Sequence, residues 1–159
     1  KTLDEIKDDL DQSLQLLASK KNDIENIKLY VSCINECPIE GRLSTTNIIH
    51  ELITYYYEYD NITNICLSDT CGTLSPSILE EIIHRIKLEG IDIGKISLHI
   101  HSNDNDKNRL QSILDISLNN DIQKFDISLL DTCGDSFMNN KKKVVRHLNY
   151  NDINSYLHI

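Results

Sequence analysis

Glycine is scarce in this chain, with 5 residues in 159, and there are only 2 prolines and no tryptophan. No Gly-rich phosphate loop follows any segment that reads as a strand, so a Rossmann-type nucleotide site has no support. Long apolar runs are missing as well. None approaches the roughly 20 residues that a membrane-spanning helix needs. Excess positive charge is absent: the formal net charge is -9, which argues against nucleic acid or an anionic membrane surface as the main partner. The short run Lys141-Lys142-Lys143 reads as a solvated loop. Alanine is sparse, while Asn, Asp, Ile and Lys are abundant, a bias that makes many Asn and Asp residues uninformative. No secretory segment precedes the 5 cysteines, Cys33, Cys37, Cys66, Cys71 and Cys133. An odd count in that setting favours reduced thiols. Cys33 and Cys37 make a C-x3-C pair, weak as a zinc signature without a second pair. The chain opens at Lys1 directly into a helical pattern, so any targeting segment is expected to be absent or removed.

What the chain does have is enough length for one domain over residues 1–159, with 40% hydrophobic residues. Its patterns alternate. Leu3, Ile6, Leu10, Leu14 and Leu17 mark one helical face. Ile27 to Ile34 reads as a strand. Ser44 or Thr45 caps a helix carrying Ile48, Ile49, Leu52 and Ile53, ending in Tyr55-Tyr56-Tyr57. Ile62 to Leu67 is the second strand. Ser75-Pro76 has an N-cap with proline at the first helical position, and Gly90 sits where a helix C-terminal glycine belongs. Lys95 to His101 is the third strand. A helix from about Asp106 to Leu118 leads to a fourth strand, Phe125 to Leu129, and a last helix begins near Asp152. Strands alternating with helices predict parallel βαβ units, and short apolar runs suggest strands covered on both faces. An open doubly wound sheet and a piece of a (β/α)8 barrel both fit. Four strands are too few for a closed barrel, which takes about 250 residues.

In either architecture the chemistry belongs where strands end. The informative end is Lys95-Ile-Ser-Leu-His-Ile-His101. Side chains two apart in a strand share a face, so His99 and His101 leave the chain side by side, as a pair able to hold a metal ion. Imidazoles alone suggest a borderline metal such as zinc. Ser102-Asn103-Asp104-Asn105-Asp106 follows with oxygen donors. The other strand ends are polar too: Cys33 to Arg42, Ser68-Asp69-Thr70-Cys71-Gly72, and Asp126-Ile127-Ser128 running into Asp131-Thr132-Cys133-Gly134. Asp69 can also be read as a plain turn residue.

These segments resemble the hydroxymethylglutaryl-CoA lyase family, metal-dependent enzymes built on a (β/α)8 barrel. The matching stretches are Val31-Ser32-Cys33 with Cys37-Pro38-Ile39-Glu40-Gly41, Leu67-Ser68-Asp69-Thr70-Cys71-Gly72, Leu98-His99-Ile100-His101, Phe125-Asp126-Ile127-Ser128-Leu129 and Asn151-Asp152-Ile153. Order and spacing persist across almost the whole chain. The first stretch is specific to the lyase, whereas the Asp-Thr and His-x-His elements are shared with synthase and aldolase relatives.

The resemblance implies a partial barrel, about four parallel strands alternating with about five helices, from the later part of the fold. It implies cleavage of 3-hydroxy-3-methylglutaryl-CoA to acetoacetate and acetyl-CoA, as in leucine degradation and ketone body metabolism. A divalent cation, Mg2+ or Mn2+, is implied with it, held by His99 and His101. Asp69 then lies beside the substrate in an acid–base or orienting role, and Cys133 falls near the family's mobile catalytic cysteine. Three departures stand out. The family's early Arg-Asp pair and glutamate have no counterpart. The glycines and proline around its catalytic cysteine are gone. Its last metal ligand, an Asn in a Ser-Gly-Asn triplet, is replaced by Val145-Arg146-His147, so that His147 either substitutes as a ligand or marks a lost site.

Beside a synthase-type condensation on the same fold, two functional expectations follow. One is a metal-dependent carbon–carbon lyase acting on an acyl-CoA, with this chain supplying part of the site. The other is a truncated, non-catalytic relative that at most binds metal or pairs with another barrel fragment. An open barrel exposes strand edges, so association with a second copy or with the missing N-terminal half is expected. The family works in mitochondria of many eukaryotes and in bacterial cytoplasm, and no residue here chooses between them.

Overall fold

The computed structural model describes residues 3–20, 24, 26–102, 107–127 and 146–157. Helix α1 (Leu3–Ser19) precedes strand β1 (Ile27–Ser32), a small hairpin of β2 (Glu36–Cys37) and β3 (Gly41–Arg42), and helix α2 (Thr45–Glu58). Strand β4 (Ile62–Asp69), helix α3 (Pro76–Leu88), strand β5 (Ile96–Ser102) and helix α4 (Lys107–Asn119) follow, then the short strands β6 (Phe125–Asp126) and β7 (Arg146–His147) and helix α5 (Tyr150–Leu157). Among the described residues no helix is long and apolar enough to cross a membrane.

The main sheet runs β1-β4-β5-β6, all parallel, with β7 pairing antiparallel to the end of β5. This is the alternating parallel pattern expected from the sequence. The antiparallel β7 was not expected, and it sets His147 in register with His101.

Local signals explain several boundaries. Ser75 caps α3, its hydroxyl accepting from the Ile78 amide at 3.3 Å, and Pro76 occupies the first helical position. The other end of α3 closes through Gly90, which has φ +73°, with its amide bonded to the Lys87 carbonyl at 3.2 Å and that of Ile91 to Ile86 at 3.1 Å. That left-handed turn satisfies carbonyls the helix would leave open. A Cβ at Gly90 would meet only the Tyr57 hydroxyl, at an ordinary 3.5 Å. Gly90→Ala is therefore expected to cost about 1 kcal/mol through backbone strain alone, read as a small drop in the urea midpoint. Unchanged stability would contradict the left-handed turn. Ser44 is the N-cap residue of α2 but its side chain makes no cap bond. Strand β1 stops at Ser32 rather than Ile34 because Cys33 turns to φ +60°, its amide donating to the Thr70 hydroxyl at 3.0 Å.

The core lies on one side of the sheet. Ile65, Leu67, Leu98 and Ile100 are fully buried against Leu79, Ile82 and Ile83 of α3 and Leu110 and Ile113 of α4. The opposite side differs from the expectation of strands apolar on both faces. Register places Tyr30, Cys66 and Ser97 in one row, and Ser32, Ser68, His99 and Asp126 in the next. These side chains are polar, and those of β1 are exposed. Period-2 alternation separates the two faces.

Candidate functional site

The polar face curves. Asp126 of β6 bonds both to the Lys28 ammonium and to the Tyr30 hydroxyl of β1, across two intervening strands. Laid flat, three strand spacings would separate those backbones by roughly 14 Å, more than a tyrosine and an aspartate side chain can bridge. The sheet is thus an arc closing toward this face, as in a section of barrel.

His99 and His101 sit at the end of β5 on the concave side. Their rings meet edge to face, with centroids 4.9 Å apart and planes at 88°. The Tyr30 ring stands edge-on to His99 at 6.5 Å. His101 is buried, and His99 is half-buried. Asp126 draws Lys28, Tyr30 and the Cys66 thiol, whose Sγ lies 3.6 Å away, into one cluster. Burial alone would raise the Asp126 carboxyl; the bonds from Lys28 and Tyr30 more than offset it, leaving the group below the usual carboxylate range. The Tyr30 hydroxyl is raised, first by its bond to Asp126 and then by burial, so it remains protonated. Burial pushes the Cys66 thiol up to about 11. Cys66 is therefore a neutral thiol, not a nucleophile.

Asp69 is elsewhere. Its register partner is Ile100, so its side chain shares the face of Leu67 and Ile65 and turns toward the helices. It is 1% exposed and faces the Arg109 guanidinium of α4 at 3.2 Å. The same carboxylate accepts from the amides of Thr73 and Leu74 at 3.0 and 3.1 Å. Burial pushes this carboxyl above its ordinary range, and Arg109 with the two amides draws it part of the way back. The structure thus brings His99 and His101 together and sets the Asp69 carboxylate behind them, away from the concave face. Its backbone carbonyl does reach the site, 2.8 Å from His101 Nδ1.

Cys133 lies outside the described residues, as does the side chain of His147, whose backbone alone is placed. Among the described residues no group of three or more His, Cys, Asp and Glu side chains is arranged to hold a metal ion. The two imidazoles fit as part of a donor set, in chemistry and in spacing, and do not complete one. The four described cysteines, Cys33, Cys37, Cys66 and Cys71, are free thiols. Cys37 to Arg42 forms the tight hairpin turn, with Gly41 at φ +81°.

Sequence reasoning missed Lys28, Tyr30 and Arg109. Alternation in Ile27-Lys28-Leu29-Tyr30-Val31-Ser32 carries a signal for the first two, since one parity is apolar and the other is polar or amphipathic. Arg109 had none: it sits on an amphipathic helix where Lys107, Asn108, Asp115 and Asn119 face water.

No protein-family model and no curated protein matches the chain. Solved structures do. The hydroxymethylglutaryl-CoA lyase of Pseudomonas aeruginosa is similar with TM-score 0.77 and 19% identity, over 96% of this chain and 48% of that one. The HMG-CoA lyase of Bacillus subtilis gives TM-score 0.69 and 22% identity, over 92% and 47%. An HMG-CoA lyase from Acinetobacter baumannii, in complex with coenzyme A and 3-methylmalate, gives 0.66 and 20%, over 89% and 45%. The chain spans about half the length of the structures it matches. At this identity the likeness establishes the fold, which is a portion of a (β/α)8 barrel.

Proposed function

We propose that this chain, folded like half of a hydroxymethylglutaryl-CoA lyase, supplies part of a divalent-metal-assisted carbon–carbon lyase site for 3-hydroxy-3-methylglutaryl-CoA. The observation that carries the reading is the His99–His101 pair on the concave face of a barrel section, at the strand ends where such folds place their chemistry. The family's Mg2+ or Mn2+, held by His99 and His101 with His147 as a further candidate donor, would polarise the substrate's 3-hydroxyl and an adjacent oxygen.

The reaction is a retro-aldol-type opening. The 3-hydroxyl gives up its proton to water, the bond between C2 and C3 breaks, acetoacetate leaves with a new ketone, and the acetyl-CoA enolate takes a proton at carbon from a donor that water reprotonates. Tyr30 orients the substrate as a hydrogen-bond acceptor, because its single hydroxyl hydrogen is donated to Asp126. Lys28 neutralises Asp126, so the face does not repel an anionic acyl-CoA. Asp126 is held by its donors and is a poor base. Cys133 is assigned the proton delivered to the enolate. The Asp69 carboxylate faces away from the substrate side, and the backbone carbonyl of Asp69 orients the His101 imidazole from behind.

A second reading, a non-catalytic relative that at most binds metal, is favoured by the incomplete donor set among the described residues. Acetoacetate release from the thioester, measured with added Mn2+ or Mg2+, separates the two. Release that disappears in His99→Ala and falls at least about tenfold in Tyr30→Phe supports the lyase. No release from the folded, metal-loaded chain leaves the second reading.

A further inference from the structure

We propose that Arg109 is a positioning residue: it ties the ends of β4 and β5 together and thereby fixes the His101 ring in the tautomer that leaves Nε2 with the lone pair. The inference rests on the reading of His101 as a metal ligand and goes beyond it in naming what sets that ligand.

Arg109 bonds to Asp69 and Leu74, at the end of β4 and in the loop that follows it, and to His101 at the end of β5. One Nη1 bond goes to the Asp69 carboxylate at 3.2 Å and another to the Leu74 carbonyl at 2.9 Å. Nη2 donates to the His101 carbonyl at 2.8 Å. The guanidinium therefore spans the end of β4, the loop before α3 and the end of β5. A planar fork holds its several donors in fixed directions, which the rotating donors of an ammonium do not. Arg109 is itself 12% exposed, so these bonds are poorly screened by water.

The consequence for His101 follows from hydrogen-bond polarity. Its Nδ1 lies 2.8 Å from the Asp69 backbone carbonyl. A carbonyl oxygen only accepts, so Nδ1 carries the hydrogen and donates. In a neutral imidazole the other nitrogen, Nε2, is then the basic one. This contact depends on two strand ends holding their relative position within tenths of an ångström. The Asp69 carbonyl belongs to the residue whose carboxylate Arg109 grips, and the His101 carbonyl is gripped directly. The clamp thus acts on both partners of the contact. A carbonyl behind a ligating histidine orients the ring and raises its basicity, and loss of such an outer partner typically weakens metal binding 10- to 100-fold.

The test uses the full chain. Long-range 1H–15N correlation spectra of the metal-free protein report each imidazole tautomer, with the His101 signals assigned by their loss in His101→Gln. Wild type is expected to show His101 with Nδ1 protonated. Arg109→Lys and Arg109→Met should bring its two ring nitrogen shifts together, as a mixture of tautomers does, and raise the Kd for Mn2+ about tenfold or more. Should Arg109→Met fail to fold, Asp69→Asn/Arg109→Met removes both buried charges and decides the matter with the same readouts. A folded variant with an unchanged His101 tautomer and an Mn2+ Kd within about twofold of wild type would overturn the proposal. If wild type binds no Mn2+, the ligand reading fails, and the tautomer in the metal-free variants alone then decides whether Arg109 positions the ring.

Discussion

Replacing either His99 or His101 with alanine is expected to weaken Mn2+ binding at least about a hundredfold, since loss of a ligand costs more than loss of its outer partner. The expectation comes from geometry. The two rings lie 4.9 Å apart between centroids at one strand end, on the concave face. Deleting one leaves a single imidazole of the pair, and a lone imidazole holds such ions only weakly. His50 and His84 are exposed on α2 and α3, so His84→Ala is the matched control and should leave the isotherm unchanged. Titration calorimetry with Mn2+ and with Zn2+ reads both affinity and preference. Imidazole-rich sites favour zinc, whereas the family resemblance points to Mg2+ or Mn2+. Identical isotherms for wild type and both histidine variants would remove the metal site, and with it the lyase reading.

The second large effect is on stability. Asp69→Ala should destabilise the chain by about 3–5 kcal/mol, because it leaves the Arg109 guanidinium buried without its carboxylate. It also strips an acceptor from the amides of Thr73 and Leu74. For a chain of this size the loss corresponds to a fall in Tm on the order of 10 °C. The double variant Asp69→Ala/Arg109→Met removes the stranded charge and should recover part of the loss, giving a coupling between the two sites. This separates two views of Asp69. A side chain that only exchanged protons with substrate could be removed with the fold intact, whereas one that closes a buried ion pair could not. An Asp69→Ala chain that melts at the wild-type temperature would refute the structural role.

Asp69 also shows where sequence reading reaches its limit. Its position at a strand end was legible, together with the Asp-Thr-Cys-Gly turn that follows. Its face was not. Strand β4 is buried at both parities toward its end, with Ile65 and Leu67 on one side and Cys66 and Ser68 on the other. Alternation therefore could not tell which way the next carboxylate pointed. In β5 the two histidines differ by two residues, so their shared face follows from the pleat alone, whichever face that is. In β1 the alternation was clear, yet Lys28 and Tyr30 gained meaning only when Asp126 reached them from β6, 98 and 96 residues away in sequence.

The sequence by itself determined the alternation of strands and helices, the caps at Ser75 and Gly90, and the adjacency of the two imidazoles. All of these are set by contacts within a few residues, where backbone geometry and side-chain period leave little choice. Tertiary structure alone decided the curvature that makes one face concave, the Lys28–Tyr30–Asp126 cluster, and the Asp69–Arg109 clamp behind His101. Each of those joins residues tens of positions apart, and their meeting depends on strand register and helix packing, which no local pattern specifies.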